Sequence, residues 1–309
     1  MSAGRAAVDA GAPALTLRAG AHVLKLGGRP WLMGIVNCSP DSFSDGTRSG
    51  VEGRVRQGAA LLDAGAQILD VGGESAITGR NPVAEDVEIA RVVPVIARLT
   101  AELGALVSVD TYKPAVARAA VAAGASIIND VSGLRDLALA AICAQSGAAL
   151  VIMHTRAAPK TRRQDPRLYS DVTADVVALL HERVDAAMHA GVAEEHVLLD
   201  PGPDFAKTPA QTVALLTRLP ELHSLGRPLL LAVSRKDFIG ALTGRPPAQR
   251  GAGTLAAVAH GADCGVHMVR VHDVRAAAEY LTVRAALRGE VPIASELALA
   301  EELRHQSSA

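Results

Sequence analysis

The stretch GVEGRVRQGAALLDAGAQILDVG, residues 50–72, contains the unit from which the fold can be read. Residues 50–64 are helix-like, and "DAGAQ" stops that helix at Gly65, since glycine takes the left-handed turn that ends a helix. The run 66–72 that follows is almost continuously apolar, as a strand buried on both faces should be. The succession recurs. Strand-like runs occupy 31–37, 66–72, 105–110, 126–130, 149–154, 196–202, 228–234 and 266–273. Helix-like segments lie at 50–64, 83–103, 114–123, 172–190 and 251–262, and "AAGAS" and "HAGVA" repeat the glycine stop. Eight β-then-α units predict an α/β chain folded as one (β/α)8 TIM barrel over residues 31–290. A doubly wound sheet is the competing arrangement, but no G-x-G-x-x-G follows the first run. Residues 1–30 read as an extension in which "TLRAGAHVLKLGGRP" can form a hairpin closing the barrel bottom, and 291–309 as a tail with an extra helix and a frayed end.

Composition narrows the function classes. The 309 residues are 49% hydrophobic and 20% charged, with a formal net charge of −1, so no strong overall field recruits nucleic acid or an anionic membrane. Aromatics are only 2%, too few for a base-stacking surface. The cysteines Cys38, Cys143 and Cys264 are odd in number and form no C-x-x-C pair, which favours a reducing compartment over a disulfide framework or a zinc site. The N-terminal segment has no continuous apolar core like that of a signal peptide, and no apolar run is long enough to span a bilayer. The expected setting is cytoplasmic.

The chemistry sits where the runs end. Asn37, Asp70, Asp110, Asn129 with Asp130, His154, Asp200, Ser234 to Lys236, and Arg270 with His272 terminate successive strand-like runs, whose starts are apolar. A barrel gathers such ends at one face, where barrel enzymes place their sites. Any one of these residues could be a helix cap or a loop ion pair, and Asp70 and Asp130 could simply cap or orient. The mixture of acids, amides, Lys, Arg and His is harder to explain as capping. Asp110, Asn129 and Asp200 suit a flat polar edge bearing several N–H donors, Lys236 adds a cationic donor, and Arg270 a planar cation able to lie against a ring. Asn37, Arg270 and His272 could surround a phosphate. A heteroaromatic ring with a guanidine-like edge and an attached phosphate group fits this set.

Ordered motifs then carry a family resemblance. "MGIVNCSPDSFSDG" (33–46), "GAQILDVGGES" (65–75), "VSVDTYKP" (107–114), "IINDVSG" (127–133), "VIMH" (151–154), "LLDPGPDFAKT" (198–208), "VSRKDFIG" (233–240) and "VRVHD" (269–273) follow the order found in dihydropteroate synthases. The chain resembles that family over roughly residues 31–285. The resemblance implies that Asp110, Asn129, Asp200 and Lys236 hold a pterin with Arg270 on its face. It further implies that Asn37, Arg270 and His272, with Mg²⁺ on Asn37, bind the diphosphate of 6-hydroxymethyl-7,8-dihydropterin diphosphate. Asp110, Asp45 and Lys236 are implied in catalysis, and Ser39, Phe43, Phe205, Lys207 and Asp237 in the loops and region around the acceptor, 4-aminobenzoate. In such enzymes the diphosphate leaves first and the aromatic amine attacks the resulting cation, which demands charge stabilisation and exclusion of water. A homodimer is implied in the same way. The pterin-binding barrels of folate-dependent methyltransferases are a poorer match, because "SPDSFSDG" and "SRK" do not suit them.

Several positions depart from the family pattern. Ser39 stands where threonine is usual; Ala76, Ile77, Thr78 and Gly79 replace Thr-Arg-Pro-Gly, with Arg80 able to supply the missing arginine only from a shifted register. Asp204 replaces a glycine and Asp237 a serine. Asp237 falls at the start of the helix expected to receive the acceptor's carboxylate. Two like charges ~4 Å apart cost about 1 kcal/mol in water and about 4 kcal/mol at a protein surface, the latter roughly a thousandfold in affinity. Alternatively Asp237 turns away and pairs with Arg235 or another cation. A pterin-binding paralogue with another acceptor, or without turnover, is the second reading.

Overall fold

The structure is a computed structural model that describes residues 12–39, 50–75, 79 and 81–304. It opens with an antiparallel hairpin of β1 (Ala12–Ala19) and β2 (His22–Gly28). Eight parallel strands follow: β3 (Trp31–Asn37), β4 (Ile68–Gly72), β5 (Val107–Asp110), β6 (Ile127–Asp130), β7 (Ala149–Met153), β8 (Val197–Asp200), β9 (Leu230–Leu231) and β10 (Met268–Val271). They pair in the order β8-β7-β6-β5-β4-β3-β10-β9. A bridge between Leu199 and Leu229, with the Leu199 N–H donating to the Pro228 carbonyl at 2.9 Å, brings β9 back to β8. The sheet therefore closes as the expected barrel.

The helices are α1 (Val51–Asp63), α2 (Glu85–Leu103), α3 (Pro114–Ala122), α4 (Ala138–Ser146), α5 (Val172–His189), α6 (Pro209–Thr217), α7 (Asp237–Thr243), α8 (Gly251–Asp263) and α9 (Val274–Leu287). The glycines predicted to stop α1, α3 and α5, namely Gly65, Gly124 and Gly191, all have positive φ. Local side chains set helix starts too. Asp171 caps α5 by accepting from the Thr173 and Ala174 N–H groups, and Thr208 with Gln211 forms a capping box on α6, devices worth ~1 kcal/mol each.

One apolar layer lies between strands and helices. A second fills the lower barrel, where Leu17, Leu24 and Leu26 of the hairpin pack with Met33, Ile68, Ile127, Leu198 and Met268. Each of these buried leucines contributes roughly 1.5–3 kcal/mol. The hairpin thereby plugs the N-terminal end of the barrel and leaves the polar strand ends at the opposite mouth.

Two readings of the sequence need correction. The apolar run 228–234 is a strand only at Leu230–Leu231; beyond it the chain leaves the ladder, and Arg235 turns left-handed at φ +58 to feed α7. The tail contains no further α-helix among the described residues, only a 3-10 turn at Glu301–Leu303. Val291, Ile293, Leu297, Leu299 and Leu303 are all exposed there, so no buried face stabilises a helix.

Candidate active site

Backbone strain collects at one rim of the barrel. The five described non-glycine residues with positive φ are Leu134, Lys160, Asp204, Ala206 and Arg235, and each follows the C-terminal end of a barrel strand (β6, β7, β8 or β9). Such conformations cost of order 1–3 kcal/mol each and persist where surrounding structure imposes them.

Arg270, on β10, is the centre of the mouth. Its Nε donates to Asp70 Oδ2 at 2.6 Å and its Nη2 to Asp110 Oδ2 at 2.8 Å. Asn129 Nδ2 donates to the same Asp70 oxygen at 3.2 Å, and Asp110 sits opposite Asn129 in the β5–β6 ladder. Asp70 is fully buried and its other oxygen, Oδ1, has no hydrogen-bond partner. Burial pushes the Asp110 carboxyl up, to about 7, against the pull of Arg270, and the Asp70 charge adds to the push. Burial works against the Arg270 cation, yet Asp70 and Asp110 hold it above its ordinary pKa. Two nitrogens of the guanidinium are thus pinned, while its flat face is not used by these bonds.

Asp200, at the end of β8, accepts from the Gly202 N–H at 2.7 Å. Burial raises its pKa, with Gly202, Lys236 and Lys207 opposing. Gly202 has φ +64, and a Cβ there would lie 2.1 Å from the His154 carbonyl oxygen, so only glycine fits. Lys236 Nζ lies 4.1 Å from the centre of the Phe205 ring, a cation–π contact. Burial lowers its pKa, and Asp204, Asp200 and Asp110 pull it back. Hydrogen bonds and charge proximity thus bring Asp110, Asn129, Asp200, Lys236 and Arg270 together at the C-terminal end of the barrel.

His272, half-buried, follows directly on the end of β10. Ser234 Oγ accepts from the His272 N–H at 3.2 Å and lies 2.9 Å from His272 Nδ1, so the hydroxyl is free to donate to Nδ1 and the ring proton belongs on Nε2. Burial, with Arg270, Arg235 and Lys236 nearby, lowers its pKa to about 3. It is therefore a neutral donor and not a cation at neutral pH. The unfolded chain takes up a proton near pH 6.5 that the folded ring refuses. This contribution to stability is complete above pH 6.5 and drains as pH falls towards 3. Nitrogen-15 NMR should show His272 as a single neutral tautomer, protonated at Nε2, throughout pH 5–8; an imidazolium signal at pH 6 would contradict this.

The acceptor-region residues fall in different places. Phe205 is at the mouth, as is Asp204, whose Oδ2 accepts from the Phe238 N–H at 3.2 Å. Lys207 is not there: it is fully buried beneath, with Nζ 2.8 Å from His154 Nδ1 and 2.9 Å from the Gly202 carbonyl. Its flexible chain reaches inward because buried carbonyls need a donor. Asp237 begins α7 and pairs with Arg250 at 3.1 Å, its side chain 68% exposed. The cation it meets is Arg250, thirteen positions on, and not Arg235, two positions before it. Asn37 ends β3 beside Gly72, and Ser39 is buried. Phe43, Asp45, Ala76, Ile77, Thr78 and Arg80 lie outside the described residues.

Sequence reasoning missed the rim's second charge cluster. Lys113 Nζ donates to Glu74 Oε2 at 2.6 Å, Glu88 Oε2 at 2.5 Å and the Val83 carbonyl at 2.7 Å. Lys160 and the Tyr112 hydroxyl also reach Glu74. Glu74, Tyr112 and Lys113 sat within quoted motifs, but Lys113 meets its two acids 39 and 25 positions away, which leaves no local signal.

With this geometry in view, the comparisons become informative. Residues 33–272 match the family model described as pterin binding enzyme. The chain is 45% identical to the dihydropteroate synthase of Bacillus subtilis over 79% of its own length and 84% of that protein's. It is 40% identical to that of Escherichia coli, over 82% and 90% respectively. Among solved structures, Xanthomonas albilineans dihydropteroate synthase with 4-aminobenzoic acid is 45% identical, with a TM-score of 0.83 over 90% of this chain and 100% of that one. The same enzyme in complex with 7,8-dihydropteroate is 44% identical, with a TM-score of 0.79 over 89% of this chain and 100% of that one.

Proposed function

The chain belongs to the dihydropteroate synthase family, and on that premise we propose that it joins 6-hydroxymethyl-7,8-dihydropterin diphosphate to 4-aminobenzoate with release of diphosphate, a step of folate synthesis. The observation that carries this reading is the gathering of Asp110, Asn129, Asp200, Lys236 and Arg270 around one mouth. Carboxylates and an amide suit the N–H-rich edge of a pterin, and Lys236 suits its acceptors. Arg270, held through two nitrogens, offers its face to the ring. As the diphosphate departs, positive charge builds at the exocyclic methylene. Asp110 and Asp45 stabilise that cation, while Arg270 and the Nε2–H of His272 stabilise the leaving oxygens.

Among the described residues no three His, Cys, Asp or Glu side chains cluster as metal ligands. That fits an ion carried mainly by the substrate, since Mg²⁺ commonly keeps several waters and takes one or two protein oxygens plus phosphates. The amide oxygen of Asn37, at the end of β3, would hold such an ion, which would neutralise charge on the leaving diphosphate. Ser39 and Phe43 are assigned to the acceptor region in the same reading. A homodimer and a cytoplasmic setting are part of the same proposal; no helix among the described residues is long and apolar enough to cross a membrane.

Incubation with the pterin diphosphate, Mg²⁺ and 4-aminobenzoate tests the reading: diphosphate and dihydropteroate should appear together. No product at high enzyme concentration would reject it. The second reading, a different acceptor, is favoured by one observation: the acid Asp204, on a turn where the family pattern has glycine, stands beside Lys236 and accepts from the Phe238 N–H. It predicts pterin binding without binding of 4-aminobenzoate.

Asp237 itself should matter little. Its exposure and its pairing with Arg250 put it near the aqueous limit of about 1 kcal/mol for a like charge at 4 Å. Asp237→Ser should therefore lower the KM for 4-aminobenzoate by no more than about tenfold, far from the thousandfold of an unscreened carboxylate. A change of several hundredfold would show that the carboxylate points at the acceptor.

A further inference from the structure

The turn from Gly202 to Lys207 is strained, yet it presents two contacts to the mouth. Gly202, Asp204 and Ala206 all have left-handed φ, at +64, +65 and +53. Non-glycine residues hold such angles only where their surroundings impose them. Below the turn lies the fully buried ammonium of Lys207. Nζ donates to the carbonyls of Gly202 at 2.9 Å and Phe205 at 3.1 Å, and to His154 Nδ1 at 2.8 Å. The His154 carbonyl lies at 3.5 Å as a fourth, longer contact; no carboxylate touches Nζ, and burial lowers its pKa to about 7. Because Nδ1 accepts, the His154 proton is on Nε2 and is donated to Asp175 Oδ1 at 2.9 Å. Arg156 grips that carboxylate from outside at 3.0 and 2.8 Å. The turn is thus tied from within to α5.

Its other side faces the site. Phe205 lies against Lys236. Asp204 Oδ1 accepts from the Thr212 hydroxyl at 2.9 Å and its Oδ2 from the Phe238 N–H, which joins the turn to α6 and α7. We infer that Lys207 is a positioning residue: its buried ammonium draws the carbonyls of Gly202 and Phe205 inward, imposes the left-handed turn, and so fixes Phe205 against Lys236 and Asp204 against α7. A methionine would fill the same space and hold neither carbonyl, so filling and positioning are separable. The kinetic part of the test rests on the transferase reading; the exchange part does not.

Three variants are compared: Lys207→Met, His154→Gln and His154→Asn. An asparagine oxygen lies near the position of imidazole Nδ1 and can still accept from Lys207, whereas a glutamine mimics Nε2 and cannot. Lys207→Met and His154→Gln should each raise the KM for 4-aminobenzoate about tenfold, with kcat and pterin affinity changing less than about threefold. Amide exchange should quicken in residues 202–207 and 236–239 and not elsewhere. His154→Asn should stay near the wild type in both readouts.

Unchanged KM and exchange in Lys207→Met would overturn the inference. So would exchange quickening evenly across the barrel with kcat falling alongside, the mark of a purely structural residue. If Lys207→Met does not fold, equal behaviour of the two His154 variants overturns the inference and a Gln-only effect supports it. Wild-type protein inert towards 4-aminobenzoate would sink the acceptor reading alone, since exchange still decides the role of Lys207.

Discussion

Arg270→Ala should lose at least about a hundredfold in turnover and about 3–5 kcal/mol of stability. The guanidinium is bonded to Asp70 at 2.6 Å and to Asp110 at 2.8 Å. Removing it leaves one fully buried carboxylate and one largely buried one without their cation. Asp70 is the costlier: its Oδ1 already lacks a partner, and Asn129 alone would remain on Oδ2. For a chain of this size the midpoint of thermal unfolding should fall by roughly 10 °C. Arg270→Lys should recover little, because a single ammonium cannot span both acids as a planar fork does. Calorimetry together with a diphosphate-release assay checks both parts. Near-native stability in Arg270→Ala would show that Asp70 and Asp110 are not held as described.

The second large effect is expected away from the reacting groups. Lys113→Met should cost about 3–5 kcal/mol, because Glu74 and Glu88, 7% and 1% exposed, lose their shared cation. Glu74 has its pKa lowered: burial works the other way, but Lys113, Val83 and Lys160 prevail. The pair Lys113→Met with Glu88→Met should recover part of the loss, since replacing buried ions by apolar groups of similar volume is often neutral. Denaturant melts of the two variants decide the matter; an additive loss in the double variant would contradict the ion-pair account. The cluster also anchors the segment after β4, because Glu74 accepts from the Val83 N–H at 2.9 Å while Lys160 Nζ holds the Ser75 carbonyl. Both ends of the stretch 76–82 are tied to other loops of the rim.

The strands were legible because burial on both faces writes itself as continuous apolar runs, and the glycines after α1, α3 and α5 because they need a left-handed φ. The short β9 was not, since an apolar run does not record where hydrogen bonding stops. The tail after α9 was misread for a related reason: helical composition does not reveal that no partner surface exists. At the site, the side chains ending each strand were legible through topology alone, as a closed barrel brings all such ends to one face. Their partners were not. Asp70 looked like a possible cap and is bonded to Arg270, 200 positions away. Lys207 sits in a motif with Phe205, two residues earlier, yet the two side chains go to opposite sides of a turn that the letters do not show.

The hairpin of β1 and β2 bears on the traffic of small molecules. With Leu17, Leu24 and Leu26 stoppering the lower end, the barrel is a cul-de-sac with one doorway. Small molecules that reach the polar strand ends therefore come and go on the opposite side alone, a restriction the hairpin shares with the packed barrel interior.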